Sequence, residues 1–156
     1  IISIGSAIIA SIYTPRYSKY SHEKDHANLK RSYNKSRMEV IAISFSILVF
    51  ICIFSVFILE FFNLKANENN IMYLRLFCFA QFLCVSTGNT GPFLNIIGAE
   101  KHLRNNTYIG LLLSFIFCVF YIQTHPSVAM LISYSIGIIC ENFLSLIQVN
   151  KCLKKK

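Results

Sequence analysis

Arg75 and Glu141 are two ionisable residues inside apolar runs of roughly membrane-spanning length. A charge at such depth is costly unless it is paired, hydrated or turned toward a cavity. Arg75 lies about one turn inside the end of its run, and two readings stand. Its guanidinium reaches back to the interface along its own stem, or it is a positive charge at a cavity mouth that attracts anionic groups such as phosphate. Glu141, with Asn142 beside it, implies a partner base, a coupling-ion role or a cavity wall. The run Ile71 to Gly98 also holds Gln81, Ser86, Thr87, Asn89, Thr90 and Asn95, a set that a helix facing only lipid does not tolerate. Gly88, Gly91, Pro92 and Gly98 weaken the regular helix there. Such a segment either packs tightly through small residues or lines a cavity where irregular backbone is tolerated. By depth and polarity, Arg75, Gln81, Asn89, Asn95 and Glu141 are the candidates for lining such a cavity. Gly88, Gly91, Pro92 and Gly98 are the candidate hinge positions.

Catalytic chemistry has no comparable signal. His22, Asp25 and His102 lack metal-ligand spacing, and no P-loop, nucleophile elbow or metalloprotease helix is present. Cys52, Cys78, Cys84, Cys118, Cys140 and Cys152 form no C-x-x-C pair, and their spacing suits neither zinc nor a disulfide framework. No enzyme activity, cofactor or metal is expected.

The elements that must position these residues are long apolar helices. Hydrophobic residues make up 54% of the 156, charged residues only 14%, and the mean hydropathy is +0.53. A soluble domain carries about 25% charged residues, so the deficit points to the bilayer. Complete spans are expected over Val40–Phe62, Ile71–Gly98, Thr107–Ile122 and Val128–Val149. The 23 residues of the first reach about 34 Å, enough for a hydrocarbon core. Ile1–Tyr13 reads as the end of a fifth span, stopped by Pro15, so the chain is expected to begin inside a membrane helix as a fragment or truncated product. Thr107–Ile122 reaches only about 24 Å and must draw flanking polar residues into the interface. Pro126 is expected at the first position of the last helix. Asp25 is a plausible helix N-cap. Beyond it Leu29, Tyr33 and Ser36 share a face, which suits a basic amphipathic helix on the membrane surface or an ordinary solvated loop. The expected fold is an all-α polytopic transmembrane bundle forming one membrane domain.

The basic residues give the orientation. Arg16–Arg37 holds seven Lys and Arg, Asn63–Asn70 one, Ala99–Asn106 two, Gln123–Ser127 none and the tail four. Thirteen therefore fall on one side and one on the other. By the positive-inside rule the Arg16–Arg37 and Ala99–Asn106 segments and the C-terminus are cytoplasmic. This distribution, not nucleic-acid binding, accounts for the net charge of +8.

The order of elements resembles the polysaccharide flippases of the multidrug/oligosaccharidyl-lipid/polysaccharide exporter superfamily, among them the O-antigen flippases. Pro15-Arg16-Tyr17-Ser18 ends a helix and leads to Lys24-Asp25, Leu29 and Tyr33. This is similar to the family's Pro-Arg-x-Ser, Gly-Asp pair and short amphipathic helix, with Lys24 where glycine is usual. A long span follows, then one opening with Tyr73-Leu74-Arg75 and closing as Leu94-Asn95-Ile96-Ile97-Gly98-Ala99-Glu100-Lys101, similar to the family's Leu-Asn-x-x-Gly-x-x-Lys. Two further spans and a basic tail fit the family's C-terminus. The resemblance covers nearly the whole chain, yet family members have twelve or more helices in two lobes, so this chain would supply most of the second lobe. It implies a transporter that moves an undecaprenyl-pyrophosphate-linked oligosaccharide, an O-antigen or capsule repeat unit of lipopolysaccharide and polysaccharide biosynthesis, across the bacterial inner membrane by alternating access. The implied partners are that lipid-linked oligosaccharide, membrane lipids, the missing N-terminal lobe and other polysaccharide-assembly proteins. The alternatives are an ion-coupled drug antiporter of the same superfamily and a membrane assembly subunit without transport of its own.

Overall fold

The computed structural model describes residues 2–123 and 126–155. Helix α1 (Ile2–His22) and helix α2 (His26–Ile53) form the first hairpin. Their turn is set locally. The Asp25 N–H donates to the Tyr20 carbonyl and the Lys24 N–H to the Ser21 carbonyl, the paired closure that ends a helix through one left-handed residue. That residue is Lys24, at φ 55°. The chain thus makes a glycine-type turn with a lysine, at a cost of about 1 kcal/mol. Asp25 then caps α2 as the sequence predicts, its Oδ1 accepting from the Asn28 N–H at 3.1 Å. That bond and a second from the Asn28 side-chain amide hold the Asp25 carboxyl below its ordinary range.

Two expectations about this hairpin are corrected. Pro15 does not stop α1, which runs seven residues beyond it to His22. The Pro15 ring is exposed, and the extension buries Tyr17 completely, which offsets the roughly 3 kcal/mol that an internal proline costs. The segment after Asp25 is neither a separate surface helix nor a loop. It is the first part of α2, which continues unbroken into the span and is about 42 Å long at 28 residues. Leu29, Tyr33 and Ser36 do share a buried face, but it is covered by protein: Leu29 and Tyr33 join a core with Tyr13, Tyr17, Phe93 and Val149.

The expected Val40–Phe62 span is completed by helix α3 (Ser55–Phe61) after a one-residue break at Phe54. The expected Ile71–Gly98 span is helix α4 (Glu68–Ser86) and helix α5 (Thr90–Ile96), parted at Thr87–Asn89. Of the proposed hinge residues, Gly88 (φ 84°) sits in the break and Gly98 (φ 75°) just past the end of α5. Gly91 and Pro92 instead lie in the first turn of α5, where the missing N–H of proline has no helical acceptor to lose. Helix α6 (Glu100–Tyr121) takes in most of the segment expected as a loop over Ala99–Asn106, giving it about 33 Å. Helix α7 starts at Pro126, as expected, and runs to Lys155. Thr124 and His125 of the Gln123–Ser127 turn, and Ile1 and Lys156, lie outside the described residues.

Among the described residues there is no strand, and four helical stretches are long and apolar enough to cross a membrane: His26–Ile53, Glu68–Ile96, Glu100–Tyr121 and Val128–Leu153. Eleven of the 14 phenylalanines are exposed, a surface that water does not tolerate on this scale and lipid does. The fold is an all-α membrane bundle. The Arg16–Arg37 and Ala99–Arg104 segments and the end of α7 meet at one end of it, where Leu29, Ile97, Leu103 and Leu153 pack around the tyrosine core. Lys65 lies at the opposite end, between α3 and α4.

Helices α6 and α7 pack through glycine. A Cβ on Gly110 would lie 2.7 Å from the Gly137 carbonyl oxygen, and one on Gly137 would collide with Ser114 Oγ. Small residues at such a crossing let backbones approach closely, the usual source of cohesion between helices in lipid. Gly137→Val is therefore expected to cost about 3 kcal/mol, whereas Gly91→Ala, with only Leu103 Cδ2 at 3.9 Å, is expected to fold normally. Thermal unfolding in detergent checks this, and equal melting of the two variants would rule out the close crossing.

Candidate functional site

A belt of polar groups crosses the bundle near its basic end, and it is centred on the break between α4 and α5. The last carbonyls of a helix have no partner within it. Where α1, α3 and α5 end, local closure supplies one: Asp25 N–H to Tyr20, Leu64 N–H to Leu59 and Ala99 N–H to Leu94. The end of α4 is completed from another helix. Arg37 Nε donates to the Ser86 carbonyl at 2.9 Å, and Tyr33 Oη to the Thr87 carbonyl at 2.9 Å. These donors stand one turn apart on α2, and the Arg37 charge complements the negative end of the α4 dipole. Gly88 fits only because it has no side chain: a Cβ there would be 3.0 Å from Arg37 Cβ, at a φ that other residues avoid.

The belt extends to both sides. Toward α1, Tyr13 Oη donates to Glu39 Oε1 at 2.8 Å, Tyr17 Oη meets Ser36 Oγ, and the Arg16 guanidinium lies 5.1 Å from the Tyr13 ring centroid. Toward α7, Thr87 Oγ1 donates to the Cys84 carbonyl at 2.7 Å and stands 3.5 Å from Asn142 Oδ1. Between α6 and α7, Thr107 Oγ1 donates to Glu141 Oε1 at 2.7 Å, and the Asn106 amide pairs with Gln148 at 3.2 Å and Ser145 Oγ at 3.0 Å.

The sequence-predicted residues are spread over this frame. Glu141 and Asn89 belong to the belt. The Glu141 carboxylate is half-buried and satisfied by Thr107; Asn89 is 6% exposed, and its Nδ2 has no hydrogen-bond partner among the described residues. Arg75 is at the other end of the bundle. Its Nη2 donates to Ser55 Oγ at 3.0 Å and to the Cys52 carbonyl at 3.2 Å, so it closes the α2–α3 break. Gln81 borders an apolar groove with Leu74, Phe77 and Tyr134, and Asn95 a polar groove between α5 and α6. No single cavity unites the five. Tyr33, Arg37, Thr87, Thr107 and Asn142 were not singled out from sequence as site residues. Tyr33 stood on a recognised face, and Arg37 is placed four residues beyond it, the spacing of one helical turn.

The arrangement holds irregular backbone in a membrane with donors from neighbouring helices. Among the described residues no group of three or more His, Cys, Asp or Glu stands where it would hold a metal. Removing a charged donor from a half-buried carbonyl costs about 1.5–3 kcal/mol, so Arg37→Ala is expected to destabilise the protein by that amount and Tyr33→Phe by about 1 kcal/mol. Their double variant is expected to be non-additive, because both serve one helix end. Thermal unfolding of the four proteins in detergent is the check, and strict additivity would separate the two bonds.

Compared with known proteins, the chain matches no family model, no curated protein and no solved structure.

Proposed function

We propose that this chain is part of a membrane flippase that moves an undecaprenyl-pyrophosphate-linked oligosaccharide across the bacterial inner membrane by alternating access, with its C-terminus in the cytoplasm. The observation that carries the reading is the break at Gly88. A membrane-spanning stretch is interrupted, and polar groups from α2, α4 and α7 gather around the interruption. A helix broken next to buried polar side chains is the form that transporters use to line a path, and a polar path suits a sugar headgroup while its lipid tail stays in the bilayer. The family resemblance supplies the substrate class. Arg75, Gln81, Asn89, Asn95 and Glu141 remain the proposed lining residues. The gathering of the basic segments at one end supports the orientation through the positive-inside rule. Glu141 favours a second reading, an ion-coupled antiporter of the same superfamily, because a half-buried carboxylate with a hydroxyl partner is suited to exchanging a proton or cation.

Two measurements test this. A reporter fused after Lys151 is expected to give cytoplasmic signal only, and one placed at Lys65 periplasmic signal; the reverse would invert the bundle. The complete gene, with its matching glycan-synthesis genes, is expected to restore surface-glycan display in a bacterium deleted for its own flippase. Glu141→Ala is expected to reduce display at least tenfold at unchanged protein level, since a charge-assisted contact is worth about 1.5–3 kcal/mol. Arg75→Ala also removes the donor that caps the α2–α3 break, so a loss of display there counts for lining only where the variant melts as wild type. Display that ignores both variants keeps the flippase and removes these sites. No display, with glycan synthesis intact, favours the antiporter or a non-transporting assembly subunit.

A further inference from the structure

The cation with the freest guanidinium in a groove is Arg104, not Arg75. Arg75 is committed to the Cys52 carbonyl and Ser55 Oγ. Arg104 is exposed and makes no hydrogen bond or ion pair among the described residues. It borders an open groove of about 520 Å³ between α5 and α6, together with Asn95, Glu100, Leu103, Thr107 and Tyr108. The groove lies toward the basic end of the bundle, on the segment that carries Lys101. Each wall offers a different chemistry. The Arg104 fork matches phosphate oxygens in two-point contact. The Asn95 amide and Glu100 carboxylate supply a donor and acceptors for hydroxyl groups, and Tyr108, 62% exposed, presents an aromatic face. At the groove's inner edge the Thr107 hydroxyl is the group bonded to Glu141, so a ligand here touches the partner of the deep carboxylate.

We infer that this α5–α6 groove is a headgroup site for a pyrophosphate-bearing lipid, with Arg104 binding the phosphates and Asn95, Glu100 and Tyr108 facing the attached sugar. The inference takes its ligand from the flippase reading and adds the place where the headgroup is first held. The groove carries both signs of charge: Glu100, one turn from Arg104 on α6, opposes a bare anion and can accept from hydroxyl groups of a ligand that carries them. The other exposed bases at this end, Lys35 among them, would serve a general attraction to anionic lipid equally well, and the test separates the two.

The complete protein in lipid nanodiscs is titrated with undecaprenyl pyrophosphate, with undecaprenol as the phosphate-free lipid and inorganic pyrophosphate as the lipid-free phosphate. Undecaprenyl pyrophosphate is expected to bind at least tenfold more tightly than either. Arg104→Gln is expected to weaken it about tenfold, the equivalent of one charge-assisted contact, while Arg104→Lys loses less and Lys35→Gln leaves it unchanged. A pyrophosphate lipid carrying one sugar is expected to lose affinity with Tyr108→Ala, and the sugar-free lipid is not. Equal weakening by Arg104→Gln and Lys35→Gln, or none by Arg104→Gln in a protein with wild-type melting, overturns the site. Restored glycan display that Arg104→Gln does not alter, with unaltered binding, also overturns it and leaves the flippase standing. Arg104-dependent binding without display supports the site while removing the flippase.

Discussion

The bond pair from α2 to the end of α4 is the constraint on which the rest of the bundle depends. A break in a spanning helix frees carbonyls in a medium with no water to receive them, each worth several kcal/mol if left bare. Arg37 and Tyr33 supply the donors at 2.9 Å each. To bring them there, α2 must stay helical from Asp25 onward, the Tyr33 face must turn inward, and Gly88 must lack a side chain. The continuous 28-residue helix follows from this requirement as much as from its apolar run. So does the burial of Phe93, whose ring packs on Tyr33 at 4.7 Å and on Tyr17 at 5.4 Å.

The same device appears a second time. At the break between α2 and α3, Cys52 accepts from Ser55 Oγ and from Arg75 of the neighbouring helix. Two arginines, one near each end of the bundle, thus answer two interruptions of spanning helices. Both spend a guanidinium on capping a carbonyl that a helix end leaves free. An arginine beside a helix break in a membrane chain therefore has a structural task to be weighed before a ligand is assigned to it.

The local features were legible in sequence and the partnerships between helices were not. Asp25 as a cap and Pro126 as a first helical residue each rest on the chemistry of one residue and its near neighbours. The sequence narrows the break only to Gly88, Gly91, Pro92 and Gly98, of which Gly88 sits in it. The shared face of Leu29, Tyr33 and Ser36 also follows from helical spacing alone, but what covers it depends on where α1 and α5 fall. Pro15 misled because its local cost is outweighed by the distant burial of Tyr17. Arg37 was counted with the loop bases, since nothing along the chain announces that Ser86, 49 residues on, will need a donor. The lining candidates were chosen by depth and polarity, which do not encode direction: Arg75, Gln81 and Asn95 border three different grooves.

The hydrogen bonds also divide the bundle into two groups. Helices α1, α2 and α4 are tied by Tyr13–Glu39, Tyr17–Ser36, Tyr33–Thr87 and Arg37–Ser86. Helices α6 and α7 are tied by Asn106, Thr107 and Ser114, and by the close approach of Gly110 and Gly137. Among the described residues the side-chain hydrogen bond between the groups is Thr87 to Asn142, at 3.5 Å the longest of the belt. Apolar packing against the short α5 supplies much of the rest. Packing of apolar groups is non-directional and survives small sliding, whereas a buried hydrogen bond at 2.7–2.9 Å does not. A relative movement that keeps the short bonds intact must therefore run along the seam between α4–α5 and α6–α7. The groove holding Asn95 and Arg104 opens on that seam, and Thr107 on its wall donates to Glu141.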